Sequence, residues 1–178
     1  PNNSSVLYAA TSQGIYKSTN AASSWTKVSV TANFKDLRFK PGSNSTLYAT
    51  ASGQFYRSTN SGSTWTVTST GLPGSGRLVI GVSPANANYV YAVVGSSSGF
   101  TGCYRSTNSG ASFTSRSTSP NILGYSATGN DNSSQASYDL CIAVDPNNIN
   151  TIYVGGINIW KSTTGGSSWA INGHWVGT

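Results

Sequence analysis

Four aspartates, Asp36, Asp131, Asp139 and Asp145, are the only carboxylate side chains in this 178-residue sequence, which contains no glutamate. Two carboxylates can cleave a glycosidic bond as acid and base, or as acid and nucleophile, when they stand roughly 5–10 Å apart. Asp145 precedes Pro146 at a turn where Lys40 and Ser83 hold the matching place in other repeats, so a turn role is expected of it. Asp36 and Asp139 both fall near the start of an innermost strand and are the weak catalytic candidates. Aligned on the neighbouring prolines they are offset by two positions, and capping or surface roles are expected of them ahead of ligand contact. Asp131 sits in Gly129-Asn-Asp-Asn132, a loop that could wrap a hard cation. One charge is few for a calcium site, and no metal is expected. His174, the single histidine, has no Ser/Asp or Cys partner pattern and reads as a loop residue. A three-arginine clamp on a substrate carboxylate would need Arg38, Arg77 and Arg116 together, and no motif joins them. No cofactor is expected.

Composition sets the frame for these residues. Only 8% of the chain is charged, against about 25% in an average soluble domain. Glycine, serine, threonine and asparagine fill the gap, and the absence of Met and Glu argues against long helices. Five Trp, ten Tyr and regular apolar runs argue against disorder. The net charge of +6 suggests nucleic acid, but Lys17, Arg57, Arg105 and Lys161 recur at one repeat position and are scattered rather than clustered. No nucleic-acid partner is expected, and no apolar stretch approaches the roughly 20 residues of a membrane helix.

The elements that must position these groups come from a fourfold repeat. Octapeptides align without gaps at Ser18–Trp25, Ser58–Trp65, Ser106–Phe113 and Ser162–Trp169. Their third residues are Asn20, Asn60, Asn108 and Thr164. Each octapeptide follows an aromatic and a cation, as in Tyr56-Arg57. Upstream lie apolar strand signals at Leu7-Tyr8-Ala9, Leu47-Tyr48-Ala49, Val90-Tyr91-Ala92 and Ile152-Tyr153-Val154. Before those come turn prolines at Pro1, Pro41, Pro84 and Pro146. Three of the prolines follow one more alternating strand, for instance Ile80 with Val82. The octapeptides are spaced 40, 48 and 56 residues apart, the size of a four-stranded antiparallel propeller blade with strands A to D.

An all-β fold is therefore expected: a propeller segment of four blades. Blade 1 spans about 1–30 without strand A, blade 2 about 34–70, blade 3 about 77–115 and blade 4 about 138–173, and 174–178 opens the next linker. The frame leads us to expect that the protein continues at both ends into a larger ring. Its first partners are then the remaining blades or domains of the same chain. Within each octapeptide the third side chain should accept hydrogen bonds from turn amides, the fifth residue should adopt positive φ, and the terminal aromatic should cover the hairpin.

The octapeptide resembles the Asp-box of bacterial neuraminidases, Ser-x-Asp-x-Gly-x-Thr-Trp, with Asn or Thr in place of Asp; in that family the box is structural. Ser117–Tyr125, Tyr138–Pro146, Gly155-Gly-Ile-Asn-Ile-Trp-Lys-Ser-Thr163 and His174-Trp175 resemble large secreted Bacteroidetes proteins. Those proteins carry sortilin-like or Asp-box propellers and a type IX secretion signal. The resemblance implies export to the cell surface or medium, contact with the secretion machinery, and an interaction or adhesion role with glycans or surface proteins as partners. Xyloglucan-cleaving glycoside hydrolases share the blade type, and a part of such an enzyme is the alternative.

Two irregular segments are the expected site. The B–C segment Gly95–Gly102 and the D–A connection from about Ser115 to Tyr138 outgrow their counterparts and fall on one face, where long loops on a rigid scaffold tend to carry function. Phe100, Tyr125, Asp131, Tyr138 and Asp139 are the expected ligand contacts. Cys103 takes the core position of Ile15, Phe55 and Ile159, while Cys141 lies on the next strand A. A disulfide between them and two buried thiols are both open.

Overall fold

Short apolar runs flanked by Gly, Pro and Asn fold into strands because their β-branched and aromatic side chains fit a pleated, buried surface. The computed structural model describes residues 3–176, so Pro1 and the last two residues of the expected 174–178 linker lie outside the described residues. The first sheet is a three-stranded meander of β1 (Leu7–Thr11), β2 (Gly14–Ser18) and β3 (Thr26–Lys27). The next three are four-stranded antiparallel meanders. They comprise β4 (Phe34–Phe39), β5 (Leu47–Ala51), β6 (Gln54–Ser58) and β7 (Thr66–Val67); then β8 (Arg77–Val82), β9 (Val90–Ser96), β10 (Gly99–Ser106) and β11 (Thr114–Ser117); and last β12 (Cys141–Val144), β13 (Ile152–Gly155), β14 (Ile159–Ser162) and β15 (Ala170–Gly173). The one helix among the described residues, α1 (Ala136–Asp139), is a single turn. The chain is an all-β propeller segment, and no helix among the described residues is long and apolar enough to cross a membrane.

The apolar core lies between blades. Ile15, Phe34 and Ala49 fill the first gap, Tyr48, Phe55 and Ile80 the second, and Val79, Tyr91 and Trp160 the third. Strands β5 and β9 are therefore covered on both faces and read as continuous apolar runs rather than alternating ones. Strands β4, β8 and β12 lie side by side at the inner edge, so close that a Cβ on Gly81 would stand 2.8 Å from Ile142 and Val144.

Each octapeptide closes on itself through its serine and its third residue. Ser106 Oγ accepts from the amides of Asn108 (3.3 Å) and Gly110 (2.8 Å) and donates to Asn108 Oδ1 (2.8 Å). Asn108 Oδ1 also accepts from Ser112 N, and its Nδ2 donates to Ser112 Oγ. Ser18 with Asn20 and Ser58 with Asn60 repeat the pattern. In the last copy the Thr164 hydroxyl stands in for the amide oxygen beside Ser162. Positive φ extends over two residues rather than one, as at Ser109 (58°) and Gly110 (76°). Paired left-handed residues turn their carbonyls outward, towards the preceding blade. Tyr8 Oη and Lys17 Nζ donate to Ser61 O (2.7 and 3.0 Å), Thr68 Oγ1 to Gly110 O (2.7 Å), and Arg116 Nε to Gly165 O (2.9 Å). Tyr8 and Lys17 thus serve blade docking, and Tyr91 repeats the tyrosine contact by donating to Ile149 O (3.0 Å).

The terminal aromatics follow the same logic with one departure from expectation. Phe113 is buried and the Trp169 indole donates to Ser117 Oγ (2.9 Å), whereas Trp25 is 41% exposed. No sheet among the described residues lies against the first hairpin, so Trp25 has nothing to cover it.

Candidate functional site

The connection from β11 to β12 is where regular structure stops, and polar side chains hold it in place of a backbone ladder. Asn121 is its hub: Oδ1 accepts from Phe100 N (2.8 Å), and Nδ2 donates to the carbonyls of Asp131 and Ser133 (both 2.9 Å). Ile122, Leu123 and Ala136 plug the segment into the gap between blades three and four. Glycine at 95 is needed there, since a Cβ would stand 2.5 Å from Leu123 and 2.7 Å from Ala136. The expected Gly95–Gly102 loop is instead the tip of a long hairpin, with β9 and β10 running to Ser96 and from Gly99. The packed connection supports these strands beyond the length of their counterparts.

Asp131 closes the connection. Its Oδ2 accepts from Tyr125 N (2.7 Å) and Ser133 Oγ (2.6 Å), and a side chain on Gly124 would collide with its carboxylate. Burial opposes the charge, but the Ser133 hydroxyl and the Tyr125 amide outweigh it and hold the acid below the usual carboxylate range. Asp131 is therefore a loop staple rather than a ligand contact. A depressed folded-state pKa contributes stability that is present above the unfolded value and lost as pH falls through the folded one. Amide exchange in 121–135 is expected to accelerate selectively as pH drops below about 4, once corrected for intrinsic rates. Equal acceleration in Asp131→Asn would refute the assignment.

The stapled loop presents an aromatic platform. Tyr125 is 40% and Trp175 59% exposed, with ring centroids 5.8 Å apart at an interplanar angle of 71°. Gln135 Nε2 donates to Tyr125 Oη (2.8 Å), and a His174 ring nitrogen lies 3.2 Å from Tyr125 O. Asn158, almost wholly buried, ties the two segments together. Its Nδ2 donates to the carbonyls of Gly124 (2.9 Å) and Tyr125 (3.2 Å), and its Oδ1 accepts from Trp175 N (3.1 Å). Asn158 and Trp175 were missing from the expected contacts. Their only sequence signal was membership of the Gly155–Thr163 and His174-Trp175 stretches.

The other expected residues divide. Tyr138 is 85% exposed. Phe100 is half-buried against Trp169, edge to face at 6.5 Å, and belongs to the core margin rather than to a ligand surface. Asp36 is buried and bonded to three groups: Oδ1 accepts from Leu37 N (2.8 Å) and meets Arg38 (3.2 Å), and Oδ2 accepts from Ile80 N of blade three (2.8 Å). That makes it an inter-blade staple. Asp145 Oδ1 accepts from Asn147 N and Asn148 N within its turn. Asp139 alone carries a carboxylate with no hydrogen-bond partner among the described residues, in a hollow of about 390 Å³ with Cys141, Tyr153 and Ile159. The arginines do not converge either: Arg38 holds Asp36, Arg116 holds the 164–165 carbonyls and Arg77 reaches Ser137 O.

Both cysteines are free, so the disulfide alternative is not realised, and only Cys103 is buried. Burial pushes its thiol up to about 12, which leaves it unreactive. Cys141 is exposed because no blade covers the outer face of the fourth sheet among the described residues. Titration with a thiol reagent at neutral pH is expected to count one reactive cysteine in the folded protein and two in denaturant. Rapid labelling of both in the native state would contradict this.

No family model matches the sequence, and no curated protein matches it. Among solved structures the chain is similar to an ancestral GH74 enzyme, with a TM-score of 0.70 and 24% identity over 96% of this chain and 22% of that one. It is similar to the GH74 enzyme of Niastella koreensis, with a TM-score of 0.67 and 23% identity over 98% and 28%. A third is the GH74 xyloglucanase of Xanthomonas campestris, with a TM-score of 0.63 and 16% identity over 93% and 27%. The likeness is one of fold, and the chain spans between 22% and 28% of the length of those proteins.

Proposed function

We propose that this chain is a non-catalytic interaction propeller, part of a larger exported bacterial protein at the cell surface or in the medium, and that it binds glycans on the Tyr125–Trp175 platform. The platform itself carries the reading. Two exposed aromatic rings, locked by the buried Asn158 and flanked by Gln135 and His174, offer apolar faces and polar edges to a sugar ring. Rigid placement reduces the ordering cost of binding. Three of the four aspartates are engaged by the fold, which leaves no pair for hydrolysis within these residues. Structural Asp-box hairpins and the sortilin-like, type IX cargo resemblance of the sequence support export, and fractionation of cells with an antibody to this chain tests it. Recovery from the cytoplasm alone would count against that part.

Affinity electrophoresis of the full-length protein on neutral polysaccharides, xyloglucan among them, tests the platform. Trp175→Ala is expected to weaken retention about tenfold, the loss of one aromatic contact of about 1.4 kcal/mol. Unchanged retention would overturn the site.

The second reading is a segment of a glycoside hydrolase whose other carboxylate lies outside this chain. The fold likeness to GH74 enzymes and the unpartnered Asp139 favour it. Reducing-sugar release by the full-length protein that disappears in Asp139→Asn would replace the first reading with this one.

A further inference from the structure

A second site lies on the same loop-bearing face, between blades two and three. A cleft of about 280 Å³ is bordered by Asn33, Lys35, Ser52, Gly53, Arg77 and Ser137. That is near the lower end of the roughly 300–1,000 Å³ of small-molecule sites and has room for a single small ring. Three observations set it apart from an incidental surface hollow. First, the β4–β5 ladder shifts between Phe34 and Asp36, leaving Lys35 as the extra residue of a β-bulge, a device that re-aims a side chain at a sheet rim. Second, its cations lack counter-charges. No carboxylate borders the cleft, and Asp36, next along the strand, is bonded to Leu37 N, Ile80 N and Arg38 instead. The Lys35 ammonium makes no salt bridge or side-chain hydrogen bond among the described residues. Third, Arg77 lines the cleft while its guanidinium is anchored by a bond to Ser137 O, which holds the cation at the rim.

We propose that this cleft binds the carboxylate of an acidic sugar, a uronic-acid unit of an anionic polysaccharide. An ammonium from β4 and a guanidinium from β8 match a carboxylate. Asn33, Ser52 and Ser137 supply the amide and hydroxyl groups that ring hydroxyls require. This inference rests on the reading of the chain as a glycan-binding propeller, but it uses none of the platform residues.

Titration calorimetry of the full-length protein with polygalacturonate oligomers, their methyl esters, dextran sulfate and polyaspartate decides it. The oligomers should bind at least about tenfold more tightly than the uncharged esters, and Lys35→Met should remove about tenfold of that affinity, the equivalent of one charge-assisted hydrogen bond. Xyloglucan retention should be unchanged in Lys35→Met, so that failure of the cleft and failure of the platform are separable. Arg77→Gln is expected to act in the same direction; if it unfolds the α1 segment, Lys35→Met still decides, because the exposed Lys35 ammonium holds no other polar group in place. Equal binding of esters and acids would overturn the proposal, as would an unaffected Lys35→Met. Polyaspartate binding as tightly, with the same dependence on Lys35, would assign the cleft to acidic peptide instead. Dextran sulfate binding that exceeds the oligomers and ignores Lys35 would reduce the effect to general attraction by the net positive charge.

Discussion

Asp36→Ala is expected to lower the unfolding free energy by about 3 kcal/mol, read as a shift in the urea midpoint, because a buried N–H that loses its charged acceptor costs about 1–3 kcal/mol and a second, part-buried one goes with it. Ile80 N is that buried donor, and Leu37 N and the Arg38 guanidinium lose the same partner. Since Ile80 belongs to the next blade, blades two and three should separate more readily at their inner edge, with faster amide exchange in β4 and β8. Asp36→Asn keeps an acceptor for Ile80 N and should cost roughly half as much. The pair also bears on catalysis. A catalytic Asp36 would yield a stable, inactive Asn variant, whereas a staple yields a destabilised protein in proportion to the lost bonds. An Asp36→Ala variant as stable as the parent would dismiss the structural role.

Ser106→Ala should be the next most damaging single change, at about 2–3 kcal/mol. The Ser106 hydroxyl is buried and takes the amides of Asn108 and Gly110. Removing it leaves the buried Gly110 amide without an acceptor in a hairpin already held at positive φ through Ser109 and Gly110. The same hairpin carries the Gly110 carbonyl that takes Thr68, so the damage reaches the junction of blades two and three. Asn108→Asp is the informative contrast. A carboxylate oxygen accepts from Ser112 N as the amide oxygen does, and Ser112 Oγ can turn to donate where it now accepts. That change is expected to stay within about 0.5 kcal/mol. If Asn108→Asp proved as damaging as Ser106→Ala, the amide nitrogen rather than the oxygen would be the essential part of the hairpin.

The contrast between these two residues marks how much the sequence discloses. Ser106 with Asn108 is legible because the bonds by which the octapeptide closes on itself span four residues or fewer, so residue type and spacing already contain that geometry. The same locality made the strands, the turns and the propeller class readable from a fourfold repeat. Loop length, also a one-dimensional property, points to Tyr125 and Tyr138, and both are exposed. The packing of Phe100 against Trp169 is not legible in this way, because the segment that contains Phe100 is strand and its amide is bonded to Asn121, 21 residues away.

Asp36 was read as a weak acid or base because its partner Ile80 N lies 44 residues along the chain, and nothing in either segment announces the other. Trp175 and Asn158 escaped notice for the same reason. Lys35 gained its position from a one-residue register shift that leaves no mark in composition. By itself the sequence determined the blades and their hairpins, since those depend on hydrogen bonds between near neighbours and on alternating burial. Only the tertiary structure decided which aspartates are engaged, which thiol is exposed, and which side chains share the loop-bearing face, since those depend on how adjacent blades are packed, a property of long-range contacts.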